Sequence, residues 1–216
     1  SGVIKTELPS HRSDRIGVLT GPNLAGEVAE GQPTASVVAL SDKSAAQLVQ
    51  ETLMTDRFRI YTNGDVVGCE IAGVVKNIVA LGVGIAVGLD YGDNARAALM
   101  TRGIAEMTRL GVALGGDPLT FSGLAGMGDL IATCSSHRSR NRRVGVELGR
   151  GRSMDEILAD TNMVAEGVTS TAPVVELARA HRVDMPIVVT VAAVLGGELM
   201  AAELVPALMG RQARSE

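Results

Sequence analysis

Cys69-Glu-Ile-Ala-Gly-Val-Val-Lys-Asn-Ile-Val-Ala-Leu-Gly-Val-Gly-Ile-Ala-Val-Gly-Leu89 decides how this chain is read. From Ile71 onward the stretch is apolar or glycine except for Lys76 and Asn77. A helix that is apolar on every side is buried on every side, so these two polar residues are expected near the middle of a domain. Desolvation disfavours the charged form of a buried ammonium, and an uncharged lysine can take a proton from a substrate hydroxyl. Lys76 is therefore the first catalytic candidate. The competing reading is a structural lysine with a buried stem, its ammonium reaching the edge of the bundle. A membrane span is set aside on length. The clean run of residues 78–89 falls far short of the ~20 that a span requires, and four glycines sit in the stretch.

Around this helix the bulk numbers narrow the field. The 216 residues suffice for one large domain or one and a half, with ample apolar content for a core. Net charge is −4, tryptophan is absent and aromatics make up 2%. Base-stacking platforms need aromatic faces, so nucleic acid is not the expected partner. Cys69 and Cys134 have no CxxC spacing, which fits a reduced, cytoplasmic chain. His11, His137 and His181 are scattered, and no metal is expected. No basic-then-apolar leader opens the sequence. Ser1 in place of an initiator methionine points to a fragment or a processed chain.

Upstream of the long helix the chain reads as strand, helix, strand, helix, strand. Arg15-Ile-Gly-Val-Leu-Thr20 is a short strand closed by Gly21-Pro22, and residues 24–30 form one or two helical turns stopped at Gly31. Residues 34–40 are a second strand. Ser41 or Asp42 caps a helix to about Met54, and residues 58–62 are a third strand turned by Asn63-Gly64. This cadence belongs to an α/β sheet. After Asp65 no strand pattern returns. Asn94 is expected to cap a helix to Leu110, and Asp117-Pro118 to open another. Ser153-Met-Asp-Glu156 fits a capping box, and residues 173–181 and 186–195 each open on a proline. A sheet remnant thus precedes a helical domain, with the boundary near residues 63–68.

Three motifs stand out. Gly123-Leu-Ala-Gly-Met-Gly-Asp129 places three glycines and an aspartate ahead of an apolar run. Asp129 is either a first-turn residue favoured by the helix dipole or a carboxylate that orients a lysine or a substrate hydroxyl. Ser135-Ser-His-Arg-Ser-Arg-Asn-Arg-Arg143 carries four arginines and three serines in nine residues. Such a run is a solvated face or an anion site; arginine clamps phosphate bidentately, and Ser139 or Asn141 can donate from a helix N-terminus. Its place after the glycine-rich segment favours phosphate. Gly82-Val-Gly-Ile-Ala-Val-Gly88 is no dinucleotide fingerprint, because no strand leads into it. Close helix packing explains it.

Taken together, several motifs occur in order: Thr20-Gly-Pro-Asn-Leu-Ala-Gly-Glu27, Gly73-Val-Val-Lys-Asn77, Thr101-Arg-Gly-Ile-Ala-Glu-Met107, Gly123-Leu-Ala-Gly-Met-Gly-Asp-Leu130, Thr133-Cys134, Ser139-Arg-Asn-Arg142 and Glu166-Gly167. In this the chain resembles bacterial NAD(P)-dependent glycerol-3-phosphate dehydrogenase from about Arg15 to Arg211. The resemblance implies an α/β remnant of a Rossmann-type sheet in residues 1–66, the C-terminal part of a dinucleotide-binding domain. It implies a mostly all-α substrate domain in residues 67–216, of the kind found at the C-terminus of 6-phosphogluconate dehydrogenase. The implied reaction is reversible hydride transfer between sn-glycerol 3-phosphate and dihydroxyacetone phosphate, feeding glycerophospholipid synthesis.

By motif position, Lys76 matches the family's general acid/base, and Gly21, Asn23, Lys76, Asn77, Asp129, Thr133, Ser139, Arg140 and Asn141 match its substrate contacts. Ala25, Arg140, Val164 and Glu166 match contacts to the cofactor, NAD or NADP. Asn23 stands where serine or threonine is common, and Met163 where many members are polar. The family's opening strand and glycine loop are expected ahead of Ser1, so the chain alone is expected to be inactive. The implied partner is a small phosphorylated substrate, with no membrane span. An apolar helical domain beside a poorly covered sheet suits a homodimer. The alternative from another class is a non-catalytic phosphate-binding helical module.

Overall fold

A computed structural model of the chain describes residues 1–160 and 165–212. After a short exposed helix, α1 (Gly2–Glu7), three strands form one sheet in the order β1 (Val18–Thr20), β2 (Thr34–Ala39), β3 (Phe58–Asn63). β1 runs antiparallel to β2, with Val18 opposite Ala39, and β2 runs parallel to β3, with Thr34 opposite Phe58. A parallel pair needs a crossover; here it is α3 (Lys43–Leu53), whereas the smaller helix α2 (Ala25–Ala29) joins β1 to β2. Of the two expected caps of α3, Asp42 does the capping, accepting from the amides of Ser44 and Ala45 at 3.0 and 3.1 Å. The Ser44 hydroxyl, the Ala45 amide and Arg15, in that order, hold its carboxyl well below the usual carboxylate range.

The period of two along β2 sorts its side chains to two cores. Val38 and Leu40 pack with Ala46 and Ile60, while Val37 and Ala39 pack with Cys69 and Ala125. The expectation of a poorly covered sheet therefore fails for the central strand. It survives only at outer-strand positions such as Leu19 and Tyr61, both about half exposed.

The remaining elements are helices: α4 (Val66–Gly88), α5 (Asp93–Ala113), α6 (Pro118–Ser122), a π-helical turn (Leu124–Gly128), α7 (Asp129–Ser135), α8 (Arg140–Gly149), α9 (Met154–Asp160), α10 (Glu166–Ala180), α11 (Pro186–Leu195) and α12 (Leu204–Met209). The fold is thus a small sheet followed by a helical domain, as the sequence pattern indicates. The chain packs as two compact units: residues 1–73 with 107–132, and residues 74–106 with 133–216. In the first, Asp117 caps α6 with Pro118 in its first turn. In the second, Ser153, just ahead of α9, and Glu156, in its first turn, bond reciprocally and complete the capping box.

Four further expectations need correction. α5 begins at Asp93, so Asn94 lies inside the helix and does not cap it. α4 starts at Val66 and, at 23 residues, is long and apolar enough to cross a membrane, so length does not exclude a span; 67% of its most apolar window is buried within the fold, as in a core helix. It is not buried on all sides either. Asn77 and residues 78–86 are buried without a break, but Val74 is exposed and Lys76 only half-buried. Pro173 does not open a helix but lies inside α10. There the hydroxyls of Ser170 and Thr171 bond carbonyls of the first turn, and Asn141 accepts from the amide of Gly167, so the helix is anchored well before the proline.

Within the second unit, the glycines of α4 are packing devices. A methyl group built on Gly84 would meet the carbonyl oxygen of Arg142 at 2.3 Å, and one on Gly88 that of Val146 at 2.3 Å. Reciprocally, Gly145 faces the carbonyl of Leu81 at 2.2 Å and Gly149 that of Ile85 at 2.4 Å. Two glycine pairs, four residues apart on each helix, let the α4 and α8 backbones touch, which no side chain larger than hydrogen permits. This crossing positions the N-terminus of α8.

Candidate active site

The second unit gathers one group of candidate residues. Ser139 caps α8 by accepting from the amide of Arg142 at 3.3 Å. The next two residues then project from the first turn of a helix already seated on α4. Asn141 is buried; its Nδ2 donates to Asn77 Oδ1 at 2.9 Å and its Oδ1 accepts from the Gly167 amide at 2.9 Å. Asn77 Nδ2 donates to Glu166 Oε2 at 3.4 Å. Glu166 Oε1 stands 3.6 Å from the Arg140 guanidinium. Because 140 adjoins 141 and 166 adjoins 167, these contacts close a ring through α4, α8 and α10.

The ring has a direction. Gly167 donates to Asn141, Asn141 to Asn77, and Asn77 to the Glu166 carboxylate, so the carboxylate sets which way each amide points. A side chain on Gly167 would meet the Asn77 carbonyl at 2.8 Å and Asn141 Oδ1 at 2.9 Å, so glycine is needed there. Arg140 keeps half of its side chain exposed and Glu166 about two-thirds, leaving both within reach of a ligand. Lys76, adjacent to Asn77 on α4, is half-buried. The premise of full burial is met only in part. Thr133 is buried in α7. Val164 lies outside the described residues.

The first unit holds a second group. Gly21, at a φ of +120°, turns the chain after β1 so that its amide points at Asp129 Oδ2, 3.3 Å away; the Thr20 hydroxyl donates to the same oxygen at 3.4 Å. Asp129 is buried and is indeed a first-turn residue, of α7. Asn23 spends its Nδ2 on the Ser36 hydroxyl at 2.8 Å, and Ala25 is exposed as the first residue of α2. Among the described residues no three His, Cys, Asp or Glu side chains converge.

Several contributors were not singled out in the sequence. Thr20, Ser36 and the amide of Gly167 act only through tertiary contacts, and no local signal marks them. Glu106 had one. Pro186 opens α11 without a capping side chain at Met185, so the next amides need an acceptor from elsewhere. The fully buried Glu106 provides it, accepting from Ile187 at 2.7 Å and Val188 at 3.2 Å.

Comparison with known proteins places the chain in a family. Residues 65–206 match the family described as NAD-dependent glycerol-3-phosphate dehydrogenase C-terminus, and residues 1–46 match the corresponding N-terminus. A glycerol-3-phosphate dehydrogenase [NAD(P)+] of Thermobifida fusca is 54% identical over 210 residues, covering 97% of this chain and 62% of that protein. The crystal structure of glycerol-3-phosphate dehydrogenase from Coxiella burnetii superimposes with a TM-score of 0.87 at 43% identity, over 90% of this chain and 60% of that one. The yeast glycerol-3-phosphate dehydrogenase structure gives a TM-score of 0.79 at 26% identity, over 89% and 59%. The chain spans about three fifths of the length of the relatives it matches. By sequence and by fold, it belongs to the NAD-dependent glycerol-3-phosphate dehydrogenase family.

Proposed function

We propose that this chain carries the substrate machinery of a dehydrogenase that interconverts sn-glycerol 3-phosphate and dihydroxyacetone phosphate. The observation that carries the reading is the closed ring, which holds an exposed guanidinium next to Asn77 and hence one residue from Lys76. Arg140 grips the phosphate by charge-assisted hydrogen bonds. Asn141 has one amide hydrogen beyond the bond to Asn77 and offers it to the same phosphate. Lys76 removes the C2 hydroxyl proton during oxidation and returns it during reduction. Asn77, held at both ends of its amide, keeps the lysine's turn of α4 in place. Thr133 and Ser139 in the second unit, and Gly21, Asn23 and Asp129 in the first, are assigned as the further substrate contacts.

NAD or NADP, when bound, accepts or supplies the hydride. The described residues offered to it are Ala25, Arg140 and Glu166. All three are exposed, and the last two present a donor and an acceptor side by side, which suits a ribose or carboxamide group. In this assignment residues 1–66 serve the dinucleotide and residues 67–216 the substrate. We place the enzyme in the cytoplasm, consistent with two free buried cysteines, without a membrane span and as a homodimer, feeding glycerophospholipid synthesis.

The test is a full-length dehydrogenase of the family carrying residues 1–216 of this chain, assayed with NADH and NADPH. Reduction of dihydroxyacetone phosphate, with little turnover of unphosphorylated dihydroxyacetone, is the expected result. Equal turnover of both ketones would overturn the phosphate assignment.

A further inference from the structure

The ring that joins Arg140, Asn141 and Asn77 is strong on one side and weak on the other. Its buried half consists of two bonds of 2.9 Å, from Asn141 to Asn77 and from Gly167 to Asn141. Its exposed half consists of the two contacts of the Glu166 carboxylate, 3.4 Å from Asn77 Nδ2 and 3.6 Å from the Arg140 guanidinium. Charge-assisted hydrogen bonds close to about 2.7–2.9 Å, so neither contact of the carboxylate is drawn tight. Both side chains of the ion pair are more than half exposed, and an exposed pair holds its partners weakly. Among the described residues the Arg140 guanidinium pairs with no other carboxylate.

The backbone beneath Glu166 is fixed by comparison. Ala165 is buried, the Gly167 amide bonds Asn141, and the Glu166 carbonyl accepts from the hydroxyls of Thr169 and Ser170. Glu166 is the first residue of α10. Its side chain can therefore swing away from Arg140 while the helix stays where it is.

We infer that the Glu166 carboxylate is the site's own occupant, an autoinhibitory side chain that a ligand phosphate displaces from Arg140. The inference rests on the assignment of that guanidinium to phosphate. The exchange favours the ligand. A phosphate monoester carries up to two negative charges and three strong acceptor oxygens, against one charge and two oxygens for a carboxylate. An arginine fork can also meet it at two points, where Glu166 reaches the guanidinium with one oxygen. The advantage of Glu166 is its tether, which keeps it at high effective concentration. Each phosphate that binds thus gives up the pair it breaks, a small and constant loss of affinity. Once displaced, the carboxylate is available for the cofactor contact assigned to it.

Calorimetric titration of the 216-residue chain with sn-glycerol 3-phosphate, without cofactor, tests the inference. Glu166→Gln removes the charge. Glu166→Asp keeps it but draws it back by one methylene, out of contact with Arg140. Both variants are expected to bind the phosphate about two- to fivefold more tightly than the parent, the range an exposed ion pair supplies, and misfolding cannot mimic a gain. In an Arg140→Gln background, where there is no pair to break, Glu166→Gln should change nothing. Tighter binding in Glu166→Gln with Glu166→Asp like the parent would reduce Glu166 to general charge repulsion and overturn the inference. So would unchanged or weaker binding in both, beside an Arg140→Gln that loses affinity. If Arg140→Gln binds as the parent does, or the chain takes up no glycerol 3-phosphate, the phosphate assignment itself fails and the inference falls with it.

Discussion

The two groups of candidate site residues are held by opposite means. In the second unit, four side chains from three helices hold one another in a directional ring, and each amide is oriented by its neighbour. In the first, a buried carboxylate is held by a backbone amide and a hydroxyl beside a turn with positive φ. A side-chain ring is sensitive to chemistry, since changing one member reverses or breaks hydrogen bonds elsewhere. A backbone clasp is sensitive to conformation and indifferent to most neighbouring side chains. The proposed phosphate reader, Arg140, belongs to the ring and the proposed acid/base, Lys76, adjoins it in sequence, so loss of function is expected to concentrate there.

The largest effect expected is at Lys76. Lys76→Met keeps a helix-favouring, unbranched side chain of similar length. In a full-length dehydrogenase carrying this chain's residues, turnover should fall roughly 10²–10⁴-fold, as for a lost general acid/base. Because Lys76 is only half-buried, the thermal midpoint should move little. Retained turnover with a lowered midpoint would make it a structural lysine and remove the distinction between the two groups.

Arg140 comes next. Arg140→Ala should cost about 2–3 kcal/mol in kcat/KM for dihydroxyacetone phosphate, with most of that loss absent when dihydroxyacetone is the substrate. Equal losses on both would assign the guanidinium to the cofactor or to the ring itself.

What the sequence revealed of this arrangement follows the range of the forces involved. The change from strands to helices near residue 65 and the capping at Asp42, Asp117 and Ser153 depend on neighbours within a few residues, and all are legible. Pro173 misled because a helix opening on proline is the local default, and the anchor that overrides it, Asn141 on Gly167, comes from 26 residues away. The glycines of residues 82–88 announced close packing but not a partner, since Gly145 and Gly149 meet them only in three dimensions. Lys76 shows the same limit. An apolar run predicts a buried helix, but which positions face outward depends on the neighbours that the tertiary fold supplies.

Those glycines provide the third test, aimed at the frame that holds the ring and not at the ring. Gly145→Ala would push a methyl group against the Leu81 carbonyl, and the obstacle is backbone, which cannot rotate aside. Overpacking of this kind costs about 1–3 kcal/mol, read as a lower denaturation midpoint. Gly64→Ala, in the first unit, has nothing within 4 Å of the added carbon and should change stability by less than ~0.5 kcal/mol. If the two alanines behaved alike, the α4–α8 contact would not be the rigid element proposed.

The smallest effect is expected at Cys69, which reports on the first unit from beneath its sheet. It is 1% exposed and packs with Val37, Ala39 and Ala125. Burial, reinforced by the carboxylates of Asp65 and Glu70, pushes its thiol from an ordinary 9.0 up to about 12. Only the thiolate reacts with alkylating agents, so at pH 8 the folded chain should resist iodoacetamide at this residue until denaturant exposes it. The same shift fixes a direction for stability. Below pH 9 the thiol is protonated whether the chain is folded or not, and its contribution is complete. As pH rises from 9 towards 12 the unfolded chain ionises while the folded one does not, so the unfolded state gains and stability falls. Cys69→Ala removes that dependence, and its denaturation midpoint should decline less steeply over this window than that of the parent chain. Rapid labelling at pH 8 in native buffer would show that the first unit opens locally, leaving the backbone clasp on Asp129 looser than the side-chain ring.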